Sequence, residues 1–178
     1  FLLIVTCCAF SLRGQDLANP PANLQFLPGG SYVIAMDNTW QTNDNSNPSK
    51  RYFNLKAYGL IVHLLNNNVR VKRIIKSGKT KDAADFTAPS VMIKPTVETV
   101  ANFRDFKGGP FVIMAPDALN IDIERLVDNY NNNAAGISGI TNVNYKVKVY
   151  KTTTGIYNVD VRYDLSNFVP KACILNDG

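Results

Sequence analysis

One stretch constrains this chain more than any other. Between Tyr52 and Asn66 apolar residues recur at helical spacing, and two short apolar runs flank them, Tyr32–Met36 and Val69–Ile75. Leu55, Gly59, Val62 and Leu65 make one stripe, and Ala57, Leu60, Ile61 and Leu64 widen it. Asn66-Asn67-Asn68 supplies the residues that tolerate a left-handed stop. A continuous apolar strand, an amphipathic helix and a second apolar strand read as an opening β-α-β unit. The rest of the chain is then expected to add layers to it. The expected fold class is α/β, with a mostly parallel sheet between helices and an antiparallel hairpin added near the end. Gly59 is read as a point of close approach between helix and strand.

The later segments are read in that frame. KSGKTKDAADF is a polar loop, Val91–Ile93 a short strand, and Phe111–Met114 another, entered through the Gly108-Gly109-Pro110 turn. Val97–Phe103 is compatible with a strand or a helical turn. A second helix starts with Asp117 as N-cap and carries Leu119, Ile123, Leu126, Val127 and Tyr130 on one side. Tyr145, Val147 and Val149 alternate with Lys146 and Lys148, and Tyr157, Val159, Val161 and Tyr163 alternate with Asn158, Asp160 and Arg162. The TTTG turn between these runs predicts a hairpin with Lys facing Asp across it. After Pro170, KACILNDG reads as one more strand.

At 178 residues there is room for one domain with a real core. Residues 31–178 are assigned to it, and the strand-to-turn ending implies that the chain continues. Residues 1–15, FLLIVTCCAFSLRGQ, resemble the later part of a secretory signal peptide, with cleavage near Gly14 or Gln15. A buried N-terminal strand and a lipoprotein signal ending at Cys7 are the other readings of that run. Residues 16–30 form an extended lead-in rich in Pro, Asn and Gly. The expected location is secreted or cell-surface, with no membrane span once the signal is removed. Loss of Cys7 and Cys8 leaves Cys173 alone, a small apolar residue rather than half of a disulfide.

The net charge of +5 is scattered, with no aromatic stacking set, so no nucleic-acid partner is expected. Gly78-Lys79-Thr80 ends like a phosphate-binding loop, but position 73 is Arg where that loop needs Gly. His63 is the only histidine and sits among apolar helix residues, with no nucleophile elbow to serve. No catalytic residues, no metal and no cofactor are therefore assigned. The loop with Asp44, Asn45 and Asn47 lacks the Gly and the closing Glu of an EF-hand. Asp37, Asn38 and Asp177, with Asn176, follow apolar strands, where open α/β sheets bind ligands. With Gly108 and Gly109 they are the ligand-binding candidates, each also explained by ordinary turn chemistry. Trp40 joins them as a stacking face for sugar, with Tyr52 and Tyr58 beside it.

Five segments together carry a resemblance: YVIAMDN, FNLKAYGLIVHLL, IKSGKTKDAADF, FKGGPFVI and VDVRYDLSNFVPKACILNDG. They resemble the N-terminal region of large secreted surface adhesins that gliding Gram-negative bacteria export by type IX secretion. The resemblance implies a flavodoxin-like sandwich of the class I glutamine amidotransferase type. The Cys, His and Glu of an active amidotransferase have no matching positions here. It further implies a non-catalytic N-terminal domain, partnered by other domains of the same long chain and by surface polysaccharide. Two alternatives stand beside it. One is an extracellular hydrolase or amidotransferase-like enzyme with its catalytic residues past position 178, and the other is a carbohydrate-binding module.

Overall fold

The computed structural model describes residues 21–42, 52–132 and 145–166. They form a single eight-stranded sheet in which every pairing is antiparallel. The strands are β1 (Leu24–Leu27), β2 (Tyr32–Ile34), β3 (Val71–Ile74), β4 (Phe86–Lys94), β5 (Asn102–Phe106), β6 (Phe111–Ile113), β7 (Val149–Thr152) and β8 (Ile156–Leu165). Their order across the sheet is β1-β8-β3-β6-β2-β7-β4-β5. Two helices, α1 (Lys56–Asn66) and α2 (Ile123–Asn131), complete the described elements together with a short 3-10 turn at Ala115–Ala118.

The expectation of a mostly parallel flavodoxin-like or amidotransferase-like three-layer sandwich is thus overturned. The physical reason lies in β6. The crossover from β2 through α1 to β3 exists, and β2 and β3 point the same way. However, β6 runs antiparallel between them and pairs with both. Likewise β6 and β7 flank β2, with α2 in the connection between them. Two interlocked split β-α-β units result, the connectivity of ferredoxin-like domains. An apolar run buried on both faces carries no sign of which strand lies next to it, so the local pattern cannot tell a split unit from a parallel one.

The expected hairpin of β7 and β8 is also corrected. The two strands follow one another in sequence, yet β2, β6 and β3 lie between them, so Lys146 and Lys148 share no ladder with Asp160, and the Lys that does face an Asp of β8 is Lys72 of β3, opposite Asp164. The step from β7 to β8 covers four strand spacings, about 19 Å on a flat sheet. Residues 153–155 reach only about 14 Å. Residues 28–31 join β1 to β2 and residues 107–110 join β5 to β6 over the same number of spacings. Links so short force the sheet to curl into a half-barrel. The two long strands bend with it: β4 pairs with β5 through its first half and β7 through its second, and β8 divides likewise between β1 and β3.

The curl separates two apolar clusters. Leu27, Val33, Phe86, Phe106, Val112, Tyr150 and Val161 are buried in one that contains no helical residue. Among the described residues no helix packs on them, so this cluster fills the inside of the half-barrel, with Trp40 from the turn after β2 packed against it. Both helices pack on the outside, where Leu60, Leu64, Leu126 and Val127 meet Ile34, Val71 and Ile113. The buried face of α1 is Ala57, Leu60, Ile61, Leu64 and Leu65, whereas Leu55 and Val62 are exposed. Gly59 approaches the other helix rather than a strand, because a Cβ there would strike Tyr130. The Tyr130 hydroxyl passes over it to donate to the Lys56 carbonyl at 2.9 Å.

Other bounds move as well. The second helix is capped by Asp122, which accepts from the Arg125 amide, and Leu119 precedes it in an exposed turn. The strand expected at Val91–Ile93 begins at Phe86, and the lead-in contains β1. Residues 95–101 are irregular and the undecided segment becomes β5 only from Asn102. The signal-like run, the Asp44–Asn47 loop, Cys173 and the closing strand lie outside the described residues.

Candidate functional site

Sequence reasoning looked for a site where apolar strands end, and Asp37 stands where the chain leaves β2. Its carboxylate accepts from the amides of Thr39 at 2.8 Å and Trp40 at 3.0 Å, which closes a tight turn. It also accepts from the Lys107 amide at 3.3 Å, tying this turn to the β5–β6 link. Gly108 follows with φ +73°, and a Cβ at that position would collide with the Met36 carbonyl. Only glycine lets the link pass so close to the end of β2. Asp37, Asn38 and Gly108 therefore do come together. They line an open cleft of about 370 Å³ with Thr39, Lys79, Asp82 and Lys107.

Gly109 is not in the cleft wall. Its amide donates at 2.8 Å to Asp85, a carboxylate with no exposed side-chain surface. Asp85 also accepts from the Lys76 amide at 2.9 Å and pairs with Lys79 at 2.7 Å. One buried carboxylate thus joins the β3–β4 loop to the β5–β6 link. Lys79 gives a further hydrogen bond to the Ala83 carbonyl. Asp160 plays the same part nearby, accepting from the amides of Asn23 and Ser77 and from the Ser77 hydroxyl at 2.6 Å. Burial opposes its ionisation, but the Ser77 hydroxyl, the two amides and the charge of Arg162 together outweigh burial and hold the Asp160 carboxyl below its ordinary range.

Trp40 is not an open stacking face. Its indole N–H donates to the Asp105 carbonyl at 2.9 Å, and its ring meets Tyr150 edge-on. Arg104 lies over both rings, 5.1 Å from the Trp40 centroid and 4.9 Å from that of Tyr150. The guanidinium binds both oxygens of Glu98, at 2.7 and 2.6 Å, and donates to the Ser90 carbonyl. Tyr150 donates to the Trp40 carbonyl, and burial pushes its phenol well above the usual range. This group closes one part of the half-barrel interior. Tyr58 packs edge-on against Phe53 and Phe111, and Tyr52 is exposed without joining either ring to Trp40. Asn176 and Asp177 lie outside the described residues, so their approach to Asp37 is not part of this geometry.

His63 sits between the helices, its ring 5.7 Å from Tyr130, and it does not line the cleft. Burial lowers its pKa, partly offset by a hydrogen bond with the Leu126 backbone. Among the described residues no group of three His, Cys, Asp or Glu side chains converges to hold a metal ion. No described helix is long and apolar enough to cross a membrane.

Sequence reasoning missed Asp82, Lys79 and Lys107 as cleft residues. Lys107 is beside the Gly-Gly turn that was singled out, and Asp82 has φ +65°, a conformation Asp tolerates better than most residues. What brings Asp82 to Asp37 is the curl of the sheet, which has no local signal. No protein-family profile matches the sequence, and no curated protein or solved structure matches the chain.

Proposed function

We propose that this chain is a non-catalytic domain of a secreted cell-surface protein, acting by presentation or binding. The observation that supports it is the state of the carboxylates at the strand ends. Asp85 and Asp160 are buried and Asp37 is partly buried, and the oxygens of all three are taken up by backbone amides, Lys79 or the Ser77 hydroxyl. Groups held in that way position loops; a general acid or base needs a proton that can leave and return. The signal-like N-terminal run supports export, and the resemblance of the spaced segments to secreted adhesins supports the surface role. Antibody labelling of intact source cells tests it. Surface labelling that protease treatment of whole cells removes is the expected result. Recovery of the protein only in the cytoplasmic fraction would overturn it.

A further inference from the structure

The cleft beside Asp37 has the make-up of a ligand site, and its chemistry selects a class. Besides Asp37 and Lys79, four polar residues from three separate segments line it: Asn38 and Thr39 after β2, Asp82 in the β3–β4 loop, and Lys107 in the β5–β6 link. Neither the Asp82 carboxylate nor the Lys107 ammonium has an ion-pair partner among the described residues. The backbone beneath them is held by contacts that do not involve those four side chains. Asp37 closes the turn carrying Asn38 and Thr39, Asp85 ties the two loops together, and Gly108 admits close passage beside Met36. Donors and acceptors are therefore offered from a preorganised frame, which lowers the ordering cost of binding.

Charge decides among ligand classes. Lys79 is paired with Asp85 behind the cleft and the Asp37 oxygens accept from three backbone amides, which leaves Lys107 and Asp82 as one charge of each sign facing the space. An anion would meet the Asp37 and Asp82 carboxylates, and among the described residues no three His, Cys, Asp or Glu side chains converge on a cation. A neutral molecule with adjacent hydroxyls suits the mixture, because each hydroxyl both donates and accepts. A volume of about 370 Å³ is at the small end for ligand clefts and suits one or two sugar rings. We infer that the cleft between Asn38, Asp82 and Lys107 binds a neutral saccharide. This rests on the reading of the chain as a binding domain and gives that reading its ligand class.

The test is an amide-resonance titration of the isotopically labelled chain with maltose, cellobiose and mannobiose, beside inorganic phosphate and glucuronate. A neutral disaccharide is expected to shift residues 37–39, 79–82 and 107–108 in the millimolar range. Asp82→Asn, which keeps a residue tolerant of positive φ, and Lys107→Met are each expected to weaken binding about fivefold, the loss of one ordinary hydrogen bond. Three results would overturn the inference: no shift with any neutral sugar, shifts elsewhere such as around Phe26 and Tyr157, or a stronger response to phosphate or glucuronate. Cell-surface labelling reads out separately, so a surface protein with a silent cleft would sink the ligand and leave the domain's location standing.

Discussion

Asp82 and Asp85 lie three residues apart in one loop and belong to opposite regions. Asp85 is buried, with two backbone amides and an ammonium around it. Asp82 is exposed, with no ion pair among the described residues, at the rim of the cleft. The difference teaches that residue type says little about the role of a strand-end carboxylate. What decides is whether curling of the sheet brings amides to it. Inside that line, carboxylates hold loops together; outside it, they face whatever solvent brings.

Substitution should expose the contrast. Asp85→Ala leaves two amides and the Lys79 ammonium without their acceptor, and a loss of about 3–4 kcal/mol is expected in urea unfolding. Gly108→Ala forces a Cβ into the Met36 carbonyl at positive φ, with an expected cost of about 2 kcal/mol. Asp160→Asn should show a smaller effect that depends on pH. Because the folded pKa is depressed, the stabilisation is full above the unfolded value of about 4 and is lost as pH falls through the folded value. The gap between the native chain and Asp160→Asn should therefore close on acidification below pH about 4. Equal gaps at neutral and acid pH would break the assignment. Asp82→Asn and Lys107→Met should change stability by no more than about 0.5 kcal/mol. A large loss at either would move it to the structural side of the line.

The two faces of the sheet differ in how legible they were. The outer face is covered by helices, and helical spacing is a local signal. Leu60, Ile61 and Leu64 could be picked out from neighbours within two turns, and they are buried. The inner face is filled by residues from strands far apart in the chain. Leu27, Phe106 and Val161 share its cluster, and no window of sequence contains all three. The same distance defeated the hairpin. TTTG looks like a turn between paired strands, yet it carries the chain over three intervening ones.

Amide side chains misled in a related way. Asn131 is the last residue of α2, a place where Asn is ordinary for local reasons. In the structure it exchanges two hydrogen bonds with Val147, and Gln41 does the same with Lys148. Each replaces a strand neighbour for the segment entering β7, and a polar residue in sequence gives no sign of such use. For the site, Asp37 and Asn38 were singled out because they follow an apolar strand and Gly108 because of its turn, and the three lie together, but the sequence could not supply their partners across the curl.

Amide hydrogen exchange tests the division of the two regions most directly. The amides of Lys76 and Gly109 donate to buried Asp85, so they should exchange as slowly as the neighbouring sheet amides, while those of Asn38 and Asp82 exchange close to the unfolded rate. Rapid exchange at Gly109, matching that at Asn38, would contradict the account, because Asp85 would then not be holding the ends of the curled sheet together.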